Sequence, residues 1–100
     1  MAGALVIQVP GQAPAMFTEA FKIGRAGNPH MICAVTVDDV YASSPHAEFT
    51  LGEDGWYVED LGSTNGTYVN GNWERTWRHK ITKGDKVRVG RTVITVVPVA

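Results

Sequence analysis

The sequence contains one cysteine, no long apolar run and no stretch of helical periodicity that lasts a dozen residues. Cys33 cannot form a disulfide within the chain, which favours a reducing compartment and a small buried side chain rather than a reactive thiol. The longest apolar runs, such as residues 93–97, are too short to cross a bilayer. The first four residues lack the basic and apolar regions of a secretory signal. The sequence therefore predicts a cytoplasmic protein without membrane insertion.

The two signs of charge nearly balance, with a formal net charge of -1, but they are unevenly distributed. Between Arg25 and Arg75 there is no lysine or arginine, whereas residues 75–91 are rich in both. A duplex-binding protein is usually more basic overall, so we do not expect nucleic acid as a partner. The basic tract is interpreted either as solvent-facing positions on strands, which we favour, or as a surface that attracts an acidic partner.

Signatures of cofactor and metal sites are missing. No Gly-x-x-x-x-Gly-Lys-Ser/Thr stretch is present, so a phosphate bound here would not belong to a P-loop nucleotide. His30, His46 and His79 with the single cysteine do not have metal-ligand spacing. We therefore expect neither a metal nor a cofactor.

A hydrolase is the enzymatic alternative. Ser43 or Ser44, with His46 and with Asp38 or Asp60, would supply a nucleophile, a base and an orienting carboxylate. Triad members are normally assembled from separated elements, and no Gly-x-Ser-x-Gly elbow accompanies these serines. The sequence therefore predicts a protein that is not an enzyme.

Hydrophobic residues recur with a period of two, which is typical of strands. Phe49, Leu51, Trp56 and Val58 are the predicted inward residues of a hairpin within residues 46–62. Many short strands separated by turn signals indicate an all-β sandwich or barrel. The strand and hairpin candidates are residues 4–10, 15–25, 32–39, 46–62, 66–71 and 85–99.

Three tryptophans could suggest stacking on a ligand. Trp56 is in phase with the predicted core, and Trp73 and Trp77 border a loop. We predict core or loop packing for all three.

The segment "DLGSTNGTYVNG", residues 60–71, is predicted to be a loop followed by a hairpin, since Asn-Gly is a strong turn signal. Ser63, Thr64 and Asn65 would place two hydroxyls and an amide at one loop tip. A side-chain amide both donates and accepts hydrogen bonds, so Asn65 could hold an extended peptide.

Arg25 follows Gly24 at the end of an alternating apolar strand. A surface arginine there means little alone, but a guanidinium beside a serine-rich loop matches the oxygens of a phosphate. The hydroxyls of Ser43 and Thr64 could satisfy the remaining phosphate oxygens.

Four motifs, taken in order, resemble the forkhead-associated (FHA) domain, and the similarity is greatest to the FHA domains of actinobacterial proteins. The resemblance implies a sandwich of about eleven strands in two antiparallel or mixed sheets, with binding loops at one end. It covers residues 21–97, and residues 1–100 are expected to form one such domain. The motifs are Gly24-Arg25, Ser43-x-x-His46, residues 60–71 and "GDKVRVG" at residues 84–90.

The resemblance also implies roles for individual residues. Arg25 and Ser43 would be phosphate ligands, with Thr64 as a further contributor. Asn65 would bond the main chain of a phosphothreonine peptide, and Ser44 would touch the same main chain.

Other positions would support or tune the site. His46 would brace the loop from beneath, and Gly24 and Gly66 would shape the backbone. Tyr41 lies where the family often influences the choice of the residue three places after the phosphothreonine. Many members place arginines between the serine and the histidine, whereas Ser44-Pro45 stands here. An aromatic residue without an arginine suggests an apolar preference.

The resemblance therefore implies a non-catalytic module that binds phosphothreonine proteins in Ser/Thr-kinase signalling, with a kinase or a kinase substrate as partner. The alternative is a scaffold or assembly module of the same fold that binds independently of phosphate. The uneven charge and the Trp73–Trp77 segment motivate that alternative.

Overall fold

The structure, a computed structural model, describes residues 3–28 and 33–97 and contains ten β-strands and no helix within those ranges. No element in these ranges therefore has the form of a membrane-spanning helix. His30, the first residue of the predicted strand 32–39 and the last two residues of the predicted hairpin 85–99 lie outside the described residues. The strands are β1 (Leu5–Gln8), β2 (Ala15–Phe17), β3 (Phe21–Arg25), β4 (Val35–Val37), β5 (Ala47–Gly52), β6 (Gly55–Asp60), β7 (Thr67–Val69), β8 (Arg78–Lys80), β9 (Lys86–Val89) and β10 (Thr92–Val96).

The strands form two five-stranded sheets, in the orders β2-β1-β10-β9-β7 and β4-β3-β5-β6-β8. Neighbours are antiparallel except for β3 and β4, which pair in parallel. The predicted all-β sandwich with mixed sheets is confirmed, with ten strands in the described residues where about eleven were expected. Strand β8 was not predicted, because both ends of Arg78–Lys80 are exposed and basic and give no apolar alternation.

The core lies between the sheets and follows the alternation of the sequence. Phe49 and Val58 are fully buried, and Trp56 is buried with its indole N–H donating to the carbonyl of Gly3. The prediction for Leu51 was wrong, since 40% of its surface is exposed. Leu51 is in phase with the core, but it lies beside the hairpin turn, at the end of the sheet.

The expected packing of the other aromatic residues is only partly found. Trp73 is 88% exposed, so the prediction that it packs in a core or loop was wrong. Trp77 is 59% exposed and stacks under the guanidinium of Arg75 at 4.1 Å. Cys33 is half-buried rather than fully buried.

The strand ends bring several loops to one end of the sandwich, which we call the loop end: residues 38–46, 61–66 and 90–91. A backbone hydrogen bond from Arg25 N–H to the Ser43 carbonyl connects the first loop to β3, and one from Leu61 N–H to the His46 carbonyl connects the first loop to the second, both at 3.0 Å. The distal end consists of residues 52–55, 70–72 and 82–85.

Candidate functional site

Residues from three distant segments line one surface depression of about 300 Å³ at the loop end. The segments are the end of β3, the loop before β5 and the loop between β6 and β7. All five predicted ligand-contacting residues and Tyr41 are among those that line it. The lining residues are Arg25, Val40, Tyr41, Ala42, Ser43, Ser44, Thr64 and Asn65.

Arg25 is the last residue of β3, with its side chain exposed at the depression. Within the described residues, its guanidinium has no hydrogen bond and no ion pair. A cation at the edge of a concave surface, with all its donors available, is suited to binding an anion.

Gly24 allows the chain to approach closely behind Arg25. A Cβ at this position would lie 3.1 Å from the Ser43 carbonyl oxygen and 3.2 Å from the Pro45 Cα. It would also lie 3.0 Å from the Cys33 sulfur. Because two of these neighbours are backbone atoms, any larger residue would displace the loop that carries Ser43.

Ser43 joins two of the loops. Its hydroxyl oxygen accepts a hydrogen bond from the Thr64 N–H at 3.1 Å, and its own N–H donates to Nδ1 of His46 at 3.0 Å. The hydroxyl of Ser43 still has its hydrogen to donate, and Thr64 is exposed beside it. Two hydroxyls and one guanidinium therefore face the same depression.

His46 has no exposed surface. Since Nδ1 accepts from Ser43 N–H, the hydrogen is on Nε2, which donates to the Gly66 carbonyl at 2.9 Å. Burial lowers the pKa of His46 below its usual value, more than the Gly66 hydrogen bond raises it. The imidazole is thus held neutral under the two loops and bonded to backbone at both nitrogens. Neither nitrogen is available to activate a serine.

Asp60, at the end of β6, organises the loop that carries Thr64. One carboxylate oxygen accepts from the N–H groups of Gly62 and Ser63, at 2.9 and 3.0 Å. The other accepts from the hydroxyls of Ser63 and Thr67. Burial alone would raise the pKa of Asp60, but these hydrogen bonds, with one from Arg75, outweigh burial and hold that pKa below its usual value.

Arg75 completes the support from the other side. Its guanidinium donates to the Asp60 carboxylate at 2.9 Å and to the Ser63 carbonyl at 2.8 Å. Gly66 has φ 86°, and a Cβ there would lie 3.1 Å from the Cβ of Arg75. Gly66 therefore has both a backbone shape and a close contact that favour glycine.

Sequence reasoning missed these support roles of Asp60 and Arg75. The Asp-x-x-Ser spacing was a usable signal for Asp60, because an aspartate commonly bonds the backbone two or three residues later. Nothing near Arg75 in the sequence points to Asp60. Ser63, expected at the loop tip, is buried, and its hydroxyl accepts from the Gly66 N–H.

Asn65 lies across the depression from the loop before β5. Its side-chain N–H donates to the Tyr41 carbonyl at 2.8 Å. The residue is exposed, and its amide oxygen, which accepts no hydrogen bond within the described residues, can accept from a main-chain N–H of a ligand.

Ser44 also lines the depression, but its hydroxyl oxygen is turned inwards and has no hydrogen-bond partner among the described residues. The following peptide bond to Pro45 is cis. Because its hydroxyl oxygen is buried, Ser44 offers a ligand its backbone rather than its hydroxyl.

Asp39 fixes the position of Tyr41. One of its oxygens accepts from Tyr41 N–H at 2.8 Å, and the other accepts from Arg91 N–H at 2.7 Å and from the Thr92 hydroxyl at 2.8 Å. Gly90 is required beside it, since a Cβ there would lie 2.7 Å from the Asp39 carboxylate. The loop before β5 is thereby attached to the turn between β9 and β10.

No cluster of three or more His, Cys, Asp or Glu side chains within residues 3–28 and 33–97 could hold a metal ion. The polar side chains that line the depression carry one guanidinium, hydroxyls and one amide.

Comparison with known proteins gives a consistent result. The sequence profile of the FHA domain family matches residues 21–90. FhaB of Mycolicibacterium smegmatis, an FHA domain-containing protein, is 43% identical over 76 residues, which are 76% of this chain and 46% of the relative. The glycogen accumulation regulator GarA of Mycobacterium tuberculosis is 37% identical over 87 residues, which are 87% of this chain and 52% of the relative. The chain thus spans about half the length of these curated relatives.

The fold is also found among solved structures. One, from a study of phosphothreonine-dependent FHA domain interactions, superimposes with a TM-score of 0.81 at 24% identity. The superposition covers 98% of this chain and 99% of the other. At this identity the likeness concerns the fold.

Proposed function

Because the chain belongs to the FHA domain family, we propose that it is a non-catalytic module that binds phosphothreonine in an extended peptide. The partner would be a Ser/Thr kinase or a kinase substrate. The phosphothreonine dependence of the structurally similar FHA domain supports this proposal. So does the regulator GarA among the relatives.

The observation that carries the proposal is the position of Arg25. Its guanidinium has no partner in the described part of the chain, and it lines the same depression as Ser43 and Thr64. A phosphate ester carries close to two negative charges at neutral pH and three acceptor oxygens. Charge-assisted bonds from the guanidinium and neutral bonds from the hydroxyls would match those oxygens.

Asn65 supplies the second part of the proposal. Asn65 lines the same depression as the proposed phosphate ligands, and its amide oxygen would accept from the peptide main chain. Main-chain contacts bind peptides of many sequences, whereas the phosphate contacts make binding depend on phosphorylation. The two together describe a module that detects a modification rather than one fixed sequence.

The test is binding of one peptide in three forms: phosphothreonine, phosphoserine and unmodified threonine. Arg25→Ala should weaken binding of the phosphothreonine form by about 1.5–3 kcal/mol, or roughly 10- to 150-fold. Lys22→Ala is the matched control, since it removes a positive charge from the exposed face of the same strand. Equal binding of the phosphorylated and unmodified peptides would contradict the proposal.

The occupied nitrogens of His46 support the absence of catalysis. The cytoplasmic compartment stays a proposal supported by the single cysteine.

A phosphate-independent scaffold is the second proposal, and the exposure of Trp73 and Trp77 favours it. Exposed tryptophans are enriched at protein interfaces. A natural partner captured equally before and after phosphatase treatment, but lost with Trp73→Ser, would support it. Capture abolished by phosphatase would support the first proposal instead.

A further inference from the structure

Arg91 lies beside the depression although it is far from it in sequence. It occupies the turn between β9 and β10, and its N–H donates to the Asp39 carboxylate at 2.7 Å across 52 positions of sequence. Its guanidinium lies over the Tyr41 ring, 4.0 Å from the centroid. A substitution at position 91 keeps the N–H that bonds Asp39, so the turn can be preserved while the side chain is changed.

Arg91 differs from the other stacked arginines in its unused donors. Arg75 also bonds Asp60, Arg78 pairs with Glu59, and Arg88 donates to the Gly90 carbonyl. Within residues 3–28 and 33–97, the Arg91 guanidinium has the ring contact alone. Stacking uses the face of a guanidinium and leaves the N–H groups along its edge free for a carboxylate.

The stacked pair of Tyr41 and Arg91 contributes to two depressions, one lined by each residue. Tyr41 lines the one that contains Arg25. Arg91 lines a second depression of about 420 Å³, with Val9, Pro10, Gln12, Val37, Asp38, Thr92 and Val93. An extended peptide whose phosphothreonine occupies the first depression and whose chain crosses Tyr41 would bring a neighbouring side chain to the edge of Arg91.

Two acidic residues lie near this edge, and they differ in what they can do. Asp39 is buried and already accepts three hydrogen bonds, so it has little capacity to compete for the guanidinium. Asp38 is exposed in the second depression and makes no ion pair with Arg91. Arg91 therefore has a free charge, and Asp38 moderates it.

We propose that Arg91, held on Tyr41, makes the site prefer phosphothreonine peptides with an aspartate or glutamate close to the phosphothreonine. The acidic residue would lie on the side of the peptide that crosses Tyr41. This preference rests on the phosphothreonine binding proposed above. It is the opposite of the apolar preference expected from the sequence. No arginine lies between Ser43 and His46, but Arg91, in the turn between β9 and β10, places a guanidinium on Tyr41.

The experiment uses phosphothreonine peptides with alanine at every flanking position and a single aspartate moved through each of the four positions on either side. Wild-type protein should bind the aspartate peptide about 3- to 10-fold more tightly than the all-alanine peptide at positions on one side only. In Arg91→Gln this ratio should fall to about one. In Arg88→Gln, where the arginine stacks on Tyr68 instead, the ratio should be kept.

Two further variants sharpen the result. Arg91→Glu should reverse the preference, so that lysine at the same position binds better than aspartate. Asp38→Asn removes the competing charge and should increase the preference for aspartate.

The outcomes separate this inference from the function on which it rests. If the all-alanine phosphothreonine peptide binds but aspartate gives no advantage at any position, the inference is overturned and the proposed function stands. An advantage that survives Arg91→Gln also overturns it. Failure of every phosphothreonine peptide to bind would overturn both.

Discussion

At each end of the sandwich an aspartate carboxylate accepts several hydrogen bonds from a loop, but the two loops differ in their exposed side chains. At the loop end the Asp60 carboxylate gathers the N–H groups of Gly62 and Ser63, two hydroxyls and Arg75. At the distal end the Asp85 carboxylate gathers Asn70, His79 and both donors of Thr82. Burial would raise the pKa of both carboxyls, but hydrogen bonds outweigh it and lower the pKa of each.

The difference lies in what each carboxylate supports. Above Asp60 lie the exposed side chains of Thr64, Asn65 and Arg25, and the Arg25 guanidinium has no hydrogen bond or ion pair within the described residues. Around Asp85 the polar side chains bond to one another, and Asn70 also accepts from the Lys86 N–H. A buried carboxylate thus fixes a loop at each end, and the exposed polar groups above Asp60 distinguish the loop for which we propose a ligand.

The largest effect should come from removing the two carboxylates. We expect Asp60→Ala to reduce the free energy of unfolding by about 3–5 kcal/mol, because Arg75 and buried donors lose their acceptor. Asp85→Ala should also be strongly destabilising. Denaturant melts measure both, and peptide titration at low temperature should show binding lost in the first variant and kept in the second. Loss of binding in both would remove the distinction between the ends.

Replacing His46 should have the next largest effect on the free energy of unfolding. His46→Ala removes a fully buried ring and two hydrogen bonds and is expected to cost about 2–4 kcal/mol. Calorimetry checks the stability, and titration of the remaining folded protein checks the binding. An unaltered melt with binding abolished would instead make His46 a direct ligand.

A pair of glycine variants compares close packing at the two ends. Gly24→Ala would place a Cβ about 3 Å from two backbone atoms and should cost about 1–3 kcal/mol and weaken peptide binding. Gly52→Ala, in β5 at the distal end, meets only ordinary contacts of 3.5 Å or more. Its melting temperature should change little, and an equal loss in both variants would contradict the packing argument.

As the pH falls, the loop end should lose a stabilising contribution before the distal end does. The pKa of His46 is lowered in the folded protein, so its contribution to stability is present above the unfolded value of 6.5 and is lost as the pH falls below it. The pKa values of Asp60 and Asp85 are lowered from 3.8, so their contributions are lost only below that value.

Amide hydrogen exchange measures this difference. Corrected for intrinsic rates, exchange of the Ser43 N–H should accelerate between pH 7 and pH 5. Exchange of the Thr82 N–H, bonded to Asp85 at 2.8 Å, should not. Equal acceleration at both amides would point to global destabilisation rather than to His46.

The smallest effect on stability is expected at Trp73, which lies on the surface outside both ends. Trp73→Ser should change the free energy of unfolding by less than about 0.5 kcal/mol, since the side chain is almost fully exposed. A denaturant melt tests this, and a clear loss of stability would show that Trp73 packs in solution.

The sequence predicted the sandwich and the segments of the site because both depend on local patterns. Alternation placed Phe49, Trp56 and Val58 in the core, and the ordered motifs named Arg25 and Ser43. Contacts between remote segments have no local signal, so Arg75 beneath Asp60 and Arg91 on Tyr41 were not predictable. Leu51 shows a different limit, since alternation gives the face of a strand but not where the opposing sheet ends.

Two hydrogen bonds within the chain join one loop to the other, from the Asn65 side chain to the Tyr41 carbonyl and from the Thr64 N–H to the Ser43 hydroxyl oxygen. The peptide that we propose would bind two loops that the chain itself holds together, so little conformational freedom should be lost on binding. Related peptides should then arrive at similar rates and differ mainly in how long they stay.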